Sequence, residues 1–242
     1  MKLDDIKKLH QKKYREQFGY FLVEGEHLVL ELTKAAQTNE ALQKSELFVT
    51  ETYRHWSKDL KTTVISEKQM AQISDTKTPQ GIVAIVSCSA LENRQQALSN
   101  ERAIYLHEIQ DPGNLGTIMR TLAWFGGFRC LLSPNSVDPY NPKVVRASMG
   151  AIFHLPMELD VPIEELTQRY NKLACLDMQG LQPSDARFKE CDCYLFGNEA
   201  RGLPQEQLQQ LNAQAFTIPG CGAIESLNLA SAVNMCVYEL VR

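Results

Sequence analysis

Apolar positions recur along the chain in short continuous runs and at helical spacing, with polar turns between them. Runs of β-branched and aromatic residues predict strands in the N-terminal part, and Gly81–Val86 is the clearest of them. An apolar stripe with a basic opposite face predicts one amphipathic helix over residues 3–13. The alternation of helices and strands predicts a small α/β domain at residues 1–88.

Polar residues dominate positions 89–101, which predicts a linker between two domains. Strands and helices then alternate up to the C-terminus, and this pattern is typical of a mainly parallel sheet with helices on both faces. Residues 102–242 are therefore predicted to form a second α/β domain. Besides the two helices considered next, strands are predicted at residues 103–106, 128–132, 172–178 and 192–196, and helices at residues 143–150, 163–170 and 204–211.

The last helix is predicted from apolar residues at helical spacing between Leu229 and Leu240, with Ser226 as its N-cap. Gly220 and Gly222 precede it, and glycines allow the backbone to bend and to approach a ligand closely. The segment is either a pocket for a small polar ligand or only a connection from strand to helix.

An earlier helix follows the turn after residue 110, and Asn114 is predicted to cap it. Its apolar residues share one face, and the helix is predicted to end at Gly126. Arg120 lies off that face and is therefore predicted to be free to point at a substrate. His107 and His154 have apolar neighbours, which favours core or edge positions over a role as bases.

Composition excludes several classes of protein. Hydrophobic residues make up 44% of the chain and charged residues 22%, as in ordinary globular proteins. No signal peptide and no membrane span are predicted, so we expect a cytoplasmic protein without a membrane partner. The seven cysteines have irregular spacing. The pair at Cys191 and Cys193 is one residue short of a Cys-x-x-Cys half-site, so no metal site is predicted.

A net charge of −4 and a pI near 5.8 argue against a surface that is positive throughout. Basic residues nevertheless cluster near the N-terminus, around Tyr14. The cluster is either a solvated helix face or an RNA contact. It comprises Lys7, Lys8, His10, Lys12, Lys13 and Arg15.

Three stretches, read together, resemble in order and spacing the three motifs of the SpoU or TrmH-like class of the SPOUT RNA methyltransferases. Their pattern is Asn-x-Gly followed by Arg, then Gly-x-Glu-x-x-Gly, then Ile-Pro followed by Ser-Leu-Asn. Residues 21–25 and 79–83 also resemble the substrate-binding domain that precedes the catalytic domain in this class. The matching motif positions are Asn114, Gly116, Arg120, Gly197, Glu199, Gly202, Ile218, Pro219, Ser226, Leu227 and Asn228.

The resemblance implies the SPOUT fold with its trefoil knot, a homodimer, and S-adenosylmethionine as the cofactor. The implied reaction is methyl transfer to a ribose 2′-hydroxyl of tRNA or rRNA. The closest cofactor contacts would be Gly197, Ile218 and Leu227.

The implied catalytic residues are Arg120, Asn114, Glu199, Ser226 and Asn228. Arg120 matches an arginine proposed as the base in this class, but guanidinium has a pKa above 12 and rarely loses its proton. We therefore interpret Arg120 as holding the 3′ phosphate and ribose. The two asparagines and the serine would orient the ribose, Arg120 and the loop. Glu199 would anchor them by accepting hydrogen bonds.

Two other functions are consistent with an α/β chain of this kind. One is an RNA-binding protein that keeps the fold without catalytic activity, against which the intact polar motif residues argue. The other is a nucleotide-dependent oxidoreductase, which the lack of a Gly-x-Gly-x-x-Gly run after the first strand of either domain disfavours.

Overall fold

The computed structural model describes residues 1–56, 59–92 and 101–242, and the chain forms two compact units. The first unit comprises Met1–Asn93 and Asp138–His154, and the second comprises Arg94–Val137 and Leu155–Arg242. Most of the predicted linker lies outside the described residues, and the predicted domain boundaries stay a prediction. No helix among the described residues is both long and apolar enough to cross a bilayer.

Helices and strands alternate along most of the chain. The helices are α1 Leu3–Lys8, α2 Lys12–Phe18, α3 Glu26–Ala36, α4 Glu67–Ile73, α5 Ser89–Glu92, α6 Pro112–Phe125, α7 Pro142–Ser148, α8 Leu166–Arg169, α9 Ala186–Lys189, α10 Gln205–Leu211 and α11 Leu229–Val241. The strands are β1 Tyr20–Glu24, β2 Glu46–Val49, β3 Lys61–Val64, β4 Ile82–Ser87, β5 Arg102–Leu106, β6 Phe128–Leu132, β7 Met157–Glu158, β8 Leu173–Leu181, β9 Cys193–Phe196 and β10 Gln214–Phe216. Short 3-10 helices occur at Leu42–Lys44, Glu51–Tyr53, Ala151–Phe153 and Ile163–Glu165.

The first unit is built on a four-stranded sheet in the order β1-β4-β2-β3. Strand β4 runs antiparallel to both neighbours, whereas β2 and β3 are parallel. The prediction of one helix over residues 3–13 is wrong. Gln11 takes an extended conformation with φ −103° and ψ 134°, which an α-helix cannot contain. The chain therefore forms α1 and α2 with a break between them.

Residues 138–154 belong to the first unit although they are distant from its other residues in sequence. Helix α7 packs on β1. Arg15 is only 3% exposed, and its guanidinium donates through Nε to Asp138 Oδ2 over 2.8 Å. Arg146 Nη1 likewise lies 2.8 Å from Asp75 Oδ2. Arg15 is thus a buried partner of Asp138, and its inclusion in an exposed basic cluster was wrong.

The second unit is built on a six-stranded sheet in the order β10-β8-β9-β5-β6-β7, with every neighbouring pair parallel. The predicted parallel sheet is confirmed. Helix α10 packs through Leu208 and Leu211 into the core that contains Tyr105 and Leu195. The crossovers through α6 and α10 run in opposite directions along the sheet. Because such crossovers are right-handed, the two helices cover opposite faces.

The strand order also locates a switch point between β5 and β9. From β5 the chain continues to β6 and β7 on one side, whereas β8, β9 and β10 lie on the other side. At such a point the loops that leave two neighbouring strands diverge, and a crevice opens beyond the carboxyl ends of the strands. The topology therefore favours a ligand site beyond Leu106 and Phe196.

Candidate active site

The ends of β5 and β9 lie side by side at the switch point. Leu106 is paired with Phe196, and the His107 backbone N–H donates to the Phe196 carbonyl over 2.9 Å. The loop after β5 leads into α6 and carries the first motif, and the loop after β9 carries the second. The fold thus brings two of the three predicted motifs to the same edge of the sheet.

Asp111, not Asn114, is the N-cap of α6, so the predicted cap was wrong. The Asp111 carboxylate accepts from the Asn114 backbone N–H over 2.7 Å, and Pro112 occupies the first turn. Proline suits that position because its missing N–H would have had no partner inside the helix. Since Asp111 supplies the cap, the Asn114 side chain remains available for other contacts.

Glu199 receives hydrogen bonds from three groups of the first motif segment. The backbone N–H groups of Gln110 and Asp111 lie 3.3 and 3.4 Å from its carboxylate, and Asn114 Nδ2 lies 3.2 Å from it. A carboxylate between several donors holds them in fixed positions. Glu199 thereby joins the loop after β9 to the start of α6.

Asn228, not Ser226, is the N-cap of α11, so this predicted cap was also wrong. Asn228 Oδ1 accepts from the Ser231 backbone N–H over 3.2 Å, and Nδ2 donates to Asn114 Oδ1 over 2.9 Å. One asparagine therefore starts the last helix and ties it to α6. Glu199, Asn114 and Asn228 form a continuous chain of side-chain hydrogen bonds across all three motifs.

Arg120 and Ser226 lie outside this chain of hydrogen bonds. Arg120 is exposed on α6, and it makes no hydrogen bond or ion pair with any residue that the structure describes. Ser226 is exposed in the segment before α11. An exposed guanidinium without a protein partner retains all its donors for an anion.

The loop after β9 is tightly folded around its glycines. Asn198 and Gly202 exchange backbone hydrogen bonds of 3.0 and 2.9 Å. Gly202 has a φ of 68°, which favours glycine, and a Cβ on Gly197 would lie 2.3 Å from the Gly202 carbonyl carbon. No other residue fits at Gly197 without movement of the backbone.

The segment between β10 and α11 is open by comparison. Residues 218–227 make no hydrogen bond with the described part of the chain. Ile218 is half-buried, whereas Leu227 is 45% exposed. An added Cβ on Gly220 would meet nothing within 4 Å. Apolar side chains and free backbone groups here fit an adenosyl group, which offers an apolar ring face and polar edges.

Two further predictions concerned histidine and metal binding. His107 is half-buried, which agrees with the predicted edge position, and its Nδ1 is buried without a hydrogen-bond partner among the described residues. Burial lowers the pKa of His107 and favours the neutral ring. Cys191 and Cys193 are buried, and burial raises the pKa of both thiols. Among the described residues no group of His, Cys, Asp or Glu is arranged to hold a metal ion.

Comparison with known proteins gives matches over nearly the whole chain. Residues 101–238 match the model of the SpoU rRNA Methylase family, and residues 2–84 match that of the MRM3-like substrate binding domain. The chain is 32% identical to the 23S rRNA (guanosine(2553)-2′-O)-methyltransferase RlmP of Bacillus subtilis (strain 168), over 99% of this chain and 95% of that protein. It is 33% identical to mitochondrial rRNA methyltransferase 3 of Mus musculus, over 94% of this chain and 68% of that protein.

A solved structure has the same fold. It is an AdoMet-bound rRNA methyltransferase from Sinorhizobium meliloti, with a TM-score of 0.83 at 26% identity, and the match covers 98% of this chain and 93% of that one. The resemblance inferred from the three motifs is confirmed.

Proposed function

Because the chain belongs to the SpoU rRNA Methylase family, we propose that it transfers a methyl group from S-adenosylmethionine to a ribose 2′-hydroxyl of RNA. The observation that carries the proposal is the hydrogen-bonded chain of Glu199, Asn114 and Asn228 at the switch point of the parallel sheet. It holds the three motif segments together at the start of α6, the helix on which Arg120 is exposed.

The cofactor contacts are assigned to the two glycine-bearing loops. Gly197 offers its backbone at the end of β9, and Ile218 and Leu227 offer apolar surface on the open segment. S-adenosylmethionine, when bound, supplies an electrophilic methyl sulfonium. The protein's task is then to align the ribose hydroxyl with that methyl group and to manage the hydroxyl proton.

Arg120 is assigned to the RNA. Its guanidinium is exposed and has no protein partner among the described residues, so its donors suit a phosphate and the developing charge on the ribose oxygen. Asn114 and Asn228 join the start of α6 to the start of α11 through their hydrogen bond. Ser226 is exposed two residues before Asn228, and it is assigned to orient the ribose from that segment. Glu199 fixes Asn114.

Ribosomal RNA is the proposed substrate rather than tRNA. Two relatives that match both units of the chain carry rRNA methyltransferase names, a third is named a tRNA/rRNA methyltransferase, and residues 2–84 match a substrate-binding domain. Lys12 and Lys13 are exposed on α2, and Lys13 Nζ lies 5.6 Å from the Tyr14 ring centroid. This basic and aromatic face supports an RNA contact in the first unit.

The test is a methylation assay on ribosomal RNA that lacks modifications, with 2′-O-methylnucleosides identified by mass spectrometry after digestion. We expect the wild-type protein to methylate one ribose. The Arg120→Lys variant keeps the charge but loses the planar fork of donors, so its turnover should fall roughly 100-fold. Unchanged turnover and RNA affinity in this variant would refute the assignment of Arg120.

The same assay separates catalysis from RNA binding alone. A protein that binds RNA but neither binds S-adenosylmethionine in calorimetry nor methylates RNA would be a non-catalytic member of the family. Mapping ribose methylation across cellular RNA with and without the protein then identifies the nucleotide. Methylation that is lost from tRNA instead would contradict the proposed substrate.

A homodimer is the proposed assembly, with α6 and α11 at the interface. Trp124 is 84% exposed and Tyr238 is 59% exposed, and Met235 and Val241 are also exposed. Apolar side chains of this size on two packed helices favour burial against a second copy. Trp124→Glu should shift the sedimentation coefficient to that of a monomer, whereas Leu30→Glu on α3 should not. An unchanged dimer would contradict this interface.

The trefoil knot also remains a proposal. It is supported by membership of the family and by the strand order, in which β10 returns to pair with β8.

A further inference from the structure

Asn198 is a buried polar residue in an otherwise exposed loop. The residue is only 7% exposed, whereas Glu199, Ala200, Arg201 and Gly202 are all exposed. A buried amide has to satisfy both its donor and its acceptor within the protein, since an unpaired one is costly. Its contacts therefore show what the loop requires of this position.

Every hydrogen-bonding group of Asn198 has a partner in the two loops. Its Oδ1 accepts from the backbone N–H groups of Ala200 and Arg201 at 2.9 and 3.1 Å. Its Nδ2 donates to the Glu108 carbonyl at 2.8 Å. The backbone is paired with Gly202. Asparagine carries its acceptor and its donor on two separate atoms of a short side chain, so it can bind both loops at once.

The partner carbonyl belongs to the loop after β5, two residues before the donors that bind Glu199. Glu108 has a φ of 47°, an unusual conformation for a residue with a side chain. Its carboxylate is also hydrogen-bonded to Arg201, which lies in the loop after β9. The loops after β5 and β9 are therefore tied at Glu108 as well as at Glu199.

Asn198 stands between two residues that are assigned to the site. Gly197, on one side, is assigned to the cofactor, and Glu199, on the other side, holds Asn114. A rotation of the backbone at Asn198 would move both neighbours together. The loop has little freedom to absorb such a movement, because Gly197 is already against the Gly202 backbone.

We propose that Asn198 is a positioning residue for methyl transfer, which sets the place of the cofactor-binding backbone at Gly197 and of the Glu199 carboxylate at the same time. This inference rests on the proposed function. The Asn198 amide is paired within the two loops, so it acts through its two neighbours. Its effect should therefore appear in cofactor affinity and in turnover, not only in folding stability.

The decisive variant is Asn198→Asp, which keeps the size and the acceptor oxygen but removes the donor to Glu108. S-adenosylhomocysteine affinity is measured by calorimetry, and kcat and KM by methylation of ribosomal RNA. We expect the dissociation constant and the KM for S-adenosylmethionine to rise roughly tenfold, as for the loss of a buried hydrogen bond, and kcat to fall as well. Asn198→Ala, which removes all three side-chain hydrogen bonds, should have a larger effect.

Two variants serve as controls. Asn212→Asp makes the same chemical change at an exposed residue after α10, in a left-handed conformation that aspartate tolerates, and should leave both constants unchanged. Arg201→Ala removes the solvent-exposed tie to Glu108. It should change affinity about twofold or less, because exposed ion pairs contribute little.

Wild-type affinity and KM in Asn198→Asp would overturn the proposal. A lower melting temperature with unchanged kcat and KM of the folded enzyme would also overturn it, since the role would then be structural only. If the wild type binds S-adenosylhomocysteine but methylates no RNA, the proposed function fails, and the affinity of Asn198→Asp still decides the role of Asn198. If the wild type does not bind S-adenosylhomocysteine, both proposals fall.

Discussion

The loop at residues 197–202 and the segment at residues 218–227 both carry predicted cofactor contacts, yet they are built in opposite ways. The first is held by backbone pairing, by the Asn198 amide and by the donors around Glu199. The second makes no hydrogen bond with the described residues and is mostly exposed. Both contain glycine, but for different reasons. At Gly197 there is no room for a Cβ, whereas at Gly220 a Cβ would meet nothing within 4 Å and the backbone is open.

This difference implies that the two segments have different roles in binding the cofactor. A loop that is already fixed offers the ligand a surface without further loss of conformational entropy. A segment without internal hydrogen bonds has to lose entropy when a ligand orders it, which reduces the net affinity. The first loop should therefore set the geometry of the bound cofactor, and the second should close the contacts around it.

The largest effect should come from Gly197→Ala. The added Cβ would lie 2.3 Å from the Gly202 carbonyl carbon, so the loop has to move. A displacement of about 1 Å in a positioned site reduces turnover roughly 100-fold, which a methylation assay measures. Gly220→Ala is the matched control, because its Cβ meets nothing within 4 Å and should leave turnover near the wild-type value. Equal losses of turnover in the two variants would contradict the difference between the fixed loop and the open segment.

The next effect should appear in hydrogen exchange. S-adenosylhomocysteine at about ten times its dissociation constant should slow exchange of the amides in residues 218–227 by roughly tenfold, since the ligand orders them. Amides of residues 197–202 that are already hydrogen-bonded should change much less. A free protein in which both segments are equally protected would show that the open segment is ordered without ligand.

A smaller effect concerns the two polar residues that flank Leu227. Asn228→Ala removes the N-cap of α11 and the bond to Asn114, so the free energy of unfolding should fall by about 1 kcal/mol. Ser226→Ala should change it by less than about 0.5 kcal/mol, because Ser226 caps nothing. Denaturant titration of both variants measures this. A larger loss in Ser226→Ala would restore Ser226 as the cap.

The smallest effect is a pH dependence from His107. Burial lowers its pKa in the folded state, so the unfolded chain binds a proton more readily. This contribution to stability is present above about pH 6.5, the ordinary histidine value, and is lost as the pH falls below it. The melting temperature of the wild type should therefore fall about 1–2 °C more than that of His107→Gln between pH 7.5 and 5.5. An equal fall would exclude His107 as the source.

Much of the site could be predicted because parallel topology brings the ends of distant strands together. The first two motifs each follow a predicted strand, and parallel strands end at the same edge of a sheet, which is where Asn114 and Glu199 meet. The caps were misassigned because Asp111, Asn114, Ser226 and Asn228 all have suitable side chains. Only the backbone conformation decides which of these residues is the N-cap from which each helix begins.

Asn198 and the placement of residues 138–154 could not be predicted from local patterns. An asparagine between Gly197 and Glu199 is typical of any turn, and its partner at Glu108 is ninety positions away in sequence. Likewise, no periodicity in α7 indicates that it packs on β1, and the partnership of Arg15 with Asp138 spans both segments. Such long-range pairs depend on the assembled fold.

The discontinuous first unit has a consequence for exchanging substrate specificity between relatives. A chimera that replaces only the N-terminal residues would separate Arg15 from Asp138, leaving a buried charge without its counterion. It would also place a foreign β1 against Val144 and Val145, which are fully buried. A chimera that preserves folding therefore has to exchange two segments, Met1–Asn93 and Asp138–His154. The second segment lies within residues 101–238, which match the SpoU family model.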